Sequence, residues 1–191
     1  MYQKKTFKEN EVMAIKDSLT GVYNRHYLEE FTSIEFERAR RYGHCVSVMI
    51  VDVDNLKIIN DTYGHTQGDI VLQVVAGFIN DNVRDSDAVI RYGGDEFLVV
   101  LPETNSEALS KVITKIKEGV EVCCDVLEVG LLISLSIGGS TVGPKTMKYV
   151  DDVLMDADKR LHKDKGSKRV GSQFKEENSV ERYLYSCPLS K

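Results

Sequence analysis

Apolar positions along the chain follow two rhythms. From Cys45 to Val53 the sequence is Val, Ile and Met broken only by Ser47 and Asp52, the composition of a central strand covered on both faces. Ala88 to Tyr92 and Phe97 to Leu101 are shorter runs of the same kind on either side of Gly93-Gly94-Asp95-Glu96, and so predict a hairpin. Leu131 to Gly139 predicts another strand, and Val170 to Phe174 an edge strand. Helical spacing is expected over Arg25 to Tyr42, Ser106 to Val122 and Tyr149 to His162. A further helix is expected over Gln67 to Val83, with Ile70, Val74 and Phe78 one turn apart. Asn60 to Asp69 reads as a loop leading into that helix. Helices alternating with an antiparallel hairpin predict an α/β (α+β) domain of ferredoxin-like, palm-type architecture, an antiparallel central sheet flanked by helices.

Composition leaves this picture intact and narrows the function. The 191 residues, 42% hydrophobic and 29% charged, suit one core with polar flanks. A net charge of −5 argues against broad nucleic-acid binding, which calls for a basic face. No apolar run approaches the ~20 residues of a membrane span, and Met1 to Lys16 is too polar for a signal peptide. Cys45, Cys123, Cys124 and Cys187 lack zinc-like spacing, so a reduced, cytoplasmic setting is expected. Two flanks are expected outside the domain. Residues 1–16 form a lead-in helix or linker, with Phe7, Val12 and Ile15 among charges, and residues 171–191 form an edge strand and a polar tail.

The candidate chemistry sits on the strand ends. Asp52 closes the most apolar strand of the chain, and burying an unpaired carboxylate is costly unless a cation or hydrogen bonds meet it. Asp95 and Glu96 stand at the hairpin turn. Its glycine pair is expected to take the positive φ of a tight turn and to leave the backbone bare enough for a phosphate to approach. Taken singly, each acidic pair is equally well a helix cap or a solvated turn. Together, Asp52, Asp54, Asp95 and Glu96 favour a hard divalent ion, Mg²⁺ or Mn²⁺, that keeps part of its shell for substrate phosphates. The run Lys159 to Arg169 gives local positive charge, which on its own is the usual solvated end of a helix.

These residues, in this order, resemble the GGDEF family of diguanylate cyclases. The resemblance runs through Asp17-Ser18-Leu19-Thr20-Gly21-Val22-Tyr23-Asn24-Arg25, then Asp52-Val53-Asp54 with Lys57, Asn60-Asp61, Tyr63-Gly64-His65 and Gly68-Asp69. It continues through Arg84-Asp85-Ser86-Asp87, Arg91 to Phe97, Leu101-Pro102, Ser136-Ile137-Gly138, and Ala157-Asp158 with Lys165. It implies a catalytic domain over residues 17–170 that condenses two GTP into cyclic di-GMP and releases two pyrophosphates, working as a homodimer. Residue by residue it implies Asp52, the Val53 carbonyl, Asp95 and Glu96 as the holders of two Mg²⁺ (or Mn²⁺) per active site, with Asp95 also the candidate proton acceptor. Asp95, Glu96 and Lys57 would be catalytic. Lys57, Lys165 and Arg169 would meet the triphosphate, Asn60 and Asp69 the guanine edge, and His65 the substrate loop. Arg84 and Asp87 would form an Arg-x-x-Asp site at which the product inhibits.

Three positions depart from the family's usual residues. His162 stands where Tyr is common, Lys168 where Gly is common, and Leu56 where Phe is frequent. The alternative from another class is a non-catalytic sensor that binds GTP or cyclic di-GMP, to which the intact acidic residues run counter. An upstream sensory module, absent from this sequence, is the expected source of regulation.

Overall fold

A computed structural model of the chain describes residues 14–124, 133–144 and 149–173, with the side chains of 121–124 and 169–173 left aside. In chain order the elements are β1 (Tyr23–Asn24), α1 (Arg25–Tyr42), β2 (Val46–Val53), α2 (Leu56–Tyr63), α3 (His65–Asp81), β3 (Ala88–Arg91), β4 (Glu96–Pro102), α4 (Ser106–Cys124), β5 (Leu135–Val142) and α5 (Val150–Gln173). They build one sheet in the order β1-β3-β4-β2-β5. Pairing is antiparallel except at the β1–β3 edge, where two residues pair in parallel. The expected antiparallel sheet is therefore mixed by a strand too short to leave a pattern in the sequence.

β2 is the axis of the fold, buried along its whole length between β4 and β5. Side chains of a strand alternate between faces, and the core divides accordingly. Met49, Val51 and Val53 join Phe97, Val99, Leu101, Leu135 and Ile137 under α2, α3 and α4. Val46, Val48 and Ile50 join Leu98, Val100, Ala88 and Ile90 under α1 and α5. Two cores on opposite faces of one sheet make three layers, which is why β2 is apolar on both faces, with only Ser47 and Asp52 interrupting it.

The helices are set by local chemistry as well as by burial. The Asn24 side chain accepts the amides of His26 at 3.0 Å and Tyr27 at 3.2 Å at the start of α1, and Gly43 closes it in the left-handed region with φ 75°. α3 begins at His65 and buries Val71, Leu72, Val75, Ala76 and Ile79. The expected stripe Ile70, Val74, Phe78 is only its flank, one position behind the buried face. The segment read as a loop before α3 contains α2, which buries only Leu56 and Ile59 and so offers too little periodicity to detect. Gly64, at φ 87°, makes the break between the two helices.

α5 corrects two expectations. It runs past His162 to Gln173, so residues 170–173 continue a helix and do not begin the edge strand expected at Val170–Phe174. It also lies unusually close to the sheet. A Cβ on Gly138 would fall 2.1 Å from both the Ala157 carbonyl oxygen and the Leu161 nitrogen, so the helix backbone rests directly on β5. The lead-in before residue 14, the start of the strand expected from Leu131, and the tail beyond 173 lie outside the described residues.

Candidate active site

Register brings the acidic residues together at one end of the sheet. Asp52 pairs with Glu96 on β4 and with Ser136 on β5. Just beyond, the Val53 amide donates to the Asp95 carbonyl at 3.1 Å and the Asp54 amide to the Ser134 carbonyl at 3.0 Å. One end of β2 thus holds Asp52 and Asp54 beside the turn that carries Asp95 and Glu96.

That turn is fastened from two sides. The amides of Tyr92 and Gly93 both donate to the Glu96 carbonyl, at 2.8 and 3.1 Å. Arg91 donates to the Gly94 carbonyl at 2.9 Å and to the Asp17 carboxylate at 3.2 Å. Asp17 in turn accepts the Thr20 amide at 2.9 Å and the Thr20 hydroxyl at 2.7 Å. Burial pushes the Asp17 carboxyl up, but the Thr20 hydrogen bonds and the Arg91 charge outweigh it and leave the group lowered. Neither Gly93 nor Gly94 has the positive φ expected of the pair. Gly93 lies close to Glu96: a Cβ there would sit 3.0 Å from Oε2, the movable end of that side chain.

Asp52 is 5% exposed and has a cation. Lys165 Nζ donates to its Oδ2 at 2.6 Å. Burial pushes the Asp52 carboxyl up, Lys165 pulls it back, and the charges of Asp95 and Asp54 push it up again, for a net rise. Asp54 accepts the Lys168 ammonium and the Ser134 hydroxyl on Oδ2, and the Ser136 hydroxyl on Oδ1, each at 2.6 Å. Among the described residues Asp52 and Asp54 thus each face one ammonium group, with Asp95 and Glu96 on the neighbouring turn. Carboxylate and carbonyl oxygens suit Mg²⁺ or Mn²⁺. Among the described residues no three His, Cys, Asp or Glu side chains form a metal centre by themselves.

The guanine candidates lie on α2 and α3. Asn60 Oδ1 is buried with no hydrogen-bond partner among the described residues, and such an orphaned polar atom calls for an explanation. It rests on Gly68, where a Cβ would come within 1.9 Å of it. Asp69 follows Gly68 in the helix and is exposed, as are His65 and Lys57. Arg84 and Asp87 lie after α3. Asp87 Oδ2 accepts the backbone amide of Arg84 at 2.8 Å, so the two form a capped turn and not a side-chain bridge, with the guanidinium on an exposed residue. Burial raises the Asp87 carboxyl, against the lowering effect of Arg84. A surface hollow lined by Glu35, Arg38, Val46 and Pro102 is at the opposite end of β2 and has no part in this cluster.

Sequence reasoning missed Asp164 and Lys117, which pair with each other, and the inward role of Lys168. Only the spacing of Asp164, Lys165 and Lys168 on one helical face could have hinted at them. Arg169 lies where side chains are not described.

The model of the family described as "Diguanylate cyclase, GGDEF domain" matches residues 14–170. This chain belongs to the GGDEF family. It is 32% identical over 159 residues to "Probable diguanylate cyclase DgcC" of Escherichia coli K12, covering 83% of this chain and 43% of that protein. It is 42% identical over 126 residues to "Diguanylate cyclase DosC" of the same strain, covering 65% and 27%. The chain thus spans less than half the length of these relatives. Among solved structures, this GGDEF chain is similar to diguanylate cyclase SiaD of Pseudomonas aeruginosa, crystallised with its activator SiaC, at TM-score 0.73 and 31% identity over 87% of this chain and 65% of that one. The coiled coil and GGDEF domain of DgcB from Caulobacter crescentus, in complex with c-di-GMP, matches at TM-score 0.77 and 23% identity over 89% and 88%, a likeness of fold.

Proposed function

We propose that this GGDEF chain is the catalytic domain of a diguanylate cyclase, cytoplasmic and controlled by an upstream sensory module, that joins two GTP into cyclic di-GMP as a homodimer. The observation that carries the reading is the buried Asp52 carboxylate, held opposite Asp95 and Glu96 at the lysine-bearing end of the sheet. A single such site binds one GTP, and two facing sites related by a twofold axis suit two identical reactions.

In each half-reaction the ribose 3′-hydroxyl of one GTP attacks the α-phosphorus of the other. The new O–P bond forms as the bond to the β-phosphate oxygen breaks, pyrophosphate leaves with that electron pair, and the hydroxyl proton passes to Asp95. Asp52, the Val53 carbonyl, Asp95 and Glu96 would hold Mg²⁺ (or Mn²⁺), which when bound supplies charge neutralisation at the phosphate oxygens. Lys57, Lys165 and Arg169 bind the triphosphate as cations. Asn60 Oδ1 accepts from the guanine amino group and Asp69 from its N1 and N2 edge, with His65 lining the substrate loop. Arg84 and Asp87 bind the product and restrain the dimer in a form whose GTP sites cannot meet.

Mass identification of the product made by purified protein from GTP and Mg²⁺ tests the reading. Cyclic di-GMP with two pyrophosphates per product supports it. GTP or cyclic di-GMP binding without turnover would instead favour the non-catalytic sensor.

A further inference from the structure

The C-terminal half of α5 carries more charge than a triphosphate contact needs, and the structure gives that charge a different use. Leu161, Asp164, Lys165 and Lys168 fall at the spacing of a single helical face. Leu161 is buried against β5 at Gly138, and the three charged residues continue the same contact toward the strand ends. Asp164 accepts the Ile137 amide at 2.9 Å and pairs with Lys117 of α4. Lys168 donates to Asp54 Oδ2 and to the Leu135 carbonyl, both at 2.6 Å. Between them stands Lys165, whose one partner among the described residues is Asp52 Oδ2.

An ammonium group has three donors. Lys168 spends two of them on Asp54, just past the end of β2, and on Leu135 of β5, whereas Lys165 keeps two for a ligand. The residues flanking Lys165 therefore act on the helix, and Lys165 acts on what binds there.

We propose that Lys168 and Asp164 are positioning residues, a two-point clamp that pins α5 to β2, β5 and α4 and so holds Lys165 over the carboxylate end of the sheet, setting the affinity for a nucleoside triphosphate. The inference rests on the functional reading above. It concerns residues of this chain in particular, since Lys168 stands where the family commonly has Gly.

The test is calorimetric binding of 3′-deoxy-GTP with Mg²⁺ to the full chain, a ligand that lacks the attacking hydroxyl and so reports affinity without turnover. Lys168→Ala weakens binding about five- to tenfold, less than the more than tenfold loss expected for deleting a charge-assisted contact to the ligand itself, because it acts through Lys165, and Lys168→Arg recovers most of it. Asp164→Ala also weakens binding, although it removes a negative charge beside an anion site and Coulomb's law alone predicts the opposite sign. The decisive readout is the double-mutant cycle: with Lys165→Ala in place, Lys168→Ala has almost no further effect. Losses that add in full would make Lys168 a direct phosphate contact and overturn the clamp. Binding by Lys168→Ala equal to wild type, or tighter binding by Asp164→Ala, would overturn it as well. Lys168 is part exposed, so Lys168→Ala keeps the fold, and an unchanged melting temperature checks this. Wild type that fails to bind 3′-deoxy-GTP would overturn the functional reading and the clamp with it, whereas equal binding by wild type and variants removes the clamp alone.

Discussion

Replacing Gly68 by Ala should leave the protein as stable as before, or more so, and yet impair its use of GTP. Gly68 lies in the first turns of α3 with an ordinary helical backbone, where Ala is favoured over Gly by up to about 1 kcal/mol. Opposing this, the new methyl would overlap Asn60 Oδ1 at 1.9 Å. The atom it meets is the end of a side chain and not backbone, so Asn60 can turn away at a rotamer cost of about 0.5–1.5 kcal/mol. The two nearly cancel in stability. They do not cancel in binding, because Asn60 Oδ1 is buried without a partner among the described residues, and turning it away removes the hydrogen bond assigned to guanine. One such bond is worth roughly 1 kcal/mol, so KM for GTP should rise about fivefold. The assay is steady-state pyrophosphate release alongside thermal melting. A KM equal to wild type, or a loss of more than about 2 kcal/mol of stability on the scale of ordinary core damage, would refute the reasoning.

Four further outcomes follow from the same geometry. Asp95→Ala and Asp52→Ala should each reduce turnover by at least about a hundredfold, the scale of removing one preorganised electrostatic group, with the far-ultraviolet circular dichroism unchanged; full activity in Asp95→Ala at moderate Mg²⁺ would sink the assignment. Asp69→Ser should lower the preference for GTP over ATP, measured as competing kcat/KM values, and an unchanged ratio would move base recognition elsewhere. Arg84→Ala should weaken calorimetric binding of cyclic di-GMP and relieve its inhibition while the initial rate stays near wild type, and equal product binding would return Arg84 and Asp87 to a plain turn. Asp17→Asn should cost stability at neutral pH: because the folded carboxyl is lowered, its contribution is present above the unfolded value near about 3.9 and is lost as pH falls through the folded one. The melting-temperature gap to wild type should therefore hold from pH 7 to about 4 and close below that, and a constant gap down to pH 2 would contradict it.

Where the sequence was legible, one physical cause dominated. β2 and β4 are covered on both faces, so their residues had to be apolar and the strands stood out. α1 matched the expected span, and the structure closes it with Asn24 and Gly43 as caps. The acidic site was visible for the converse reason, since Asp52 violates the pattern of a buried strand. The errors have causes of the same kind. α2 is eight residues long and buries two of them. The α3 stripe was misplaced because Ile70, Val74 and Phe78 are as apolar as the residues buried beside them, and only the crossing of α3 over the sheet decides which face turns inward. The Gly93-Gly94 pair suggested unusual φ, while the structure shows only a close approach of Gly93 to the Glu96 side chain.

The end of α5 is the instructive failure. Among the described side chains its apolar contact ends at Leu161, and a reading based on hydrophobic spacing stops with it, at His162. The helix continues because its next turns are held by Lys117, Asp54 and Asp52, residues 47 to 114 positions away, and no local pattern encodes pairings at that range. Such pairs are poor sources of stability, since desolvation offsets much of their attraction. They are good at fixing one arrangement of charges, and this arrangement puts Lys165 on a carboxylate that is 5% exposed. The segment that sequence patterning read least well is thus the one whose geometry depends most on the assembled sheet, and the functional reading assigns it the triphosphate.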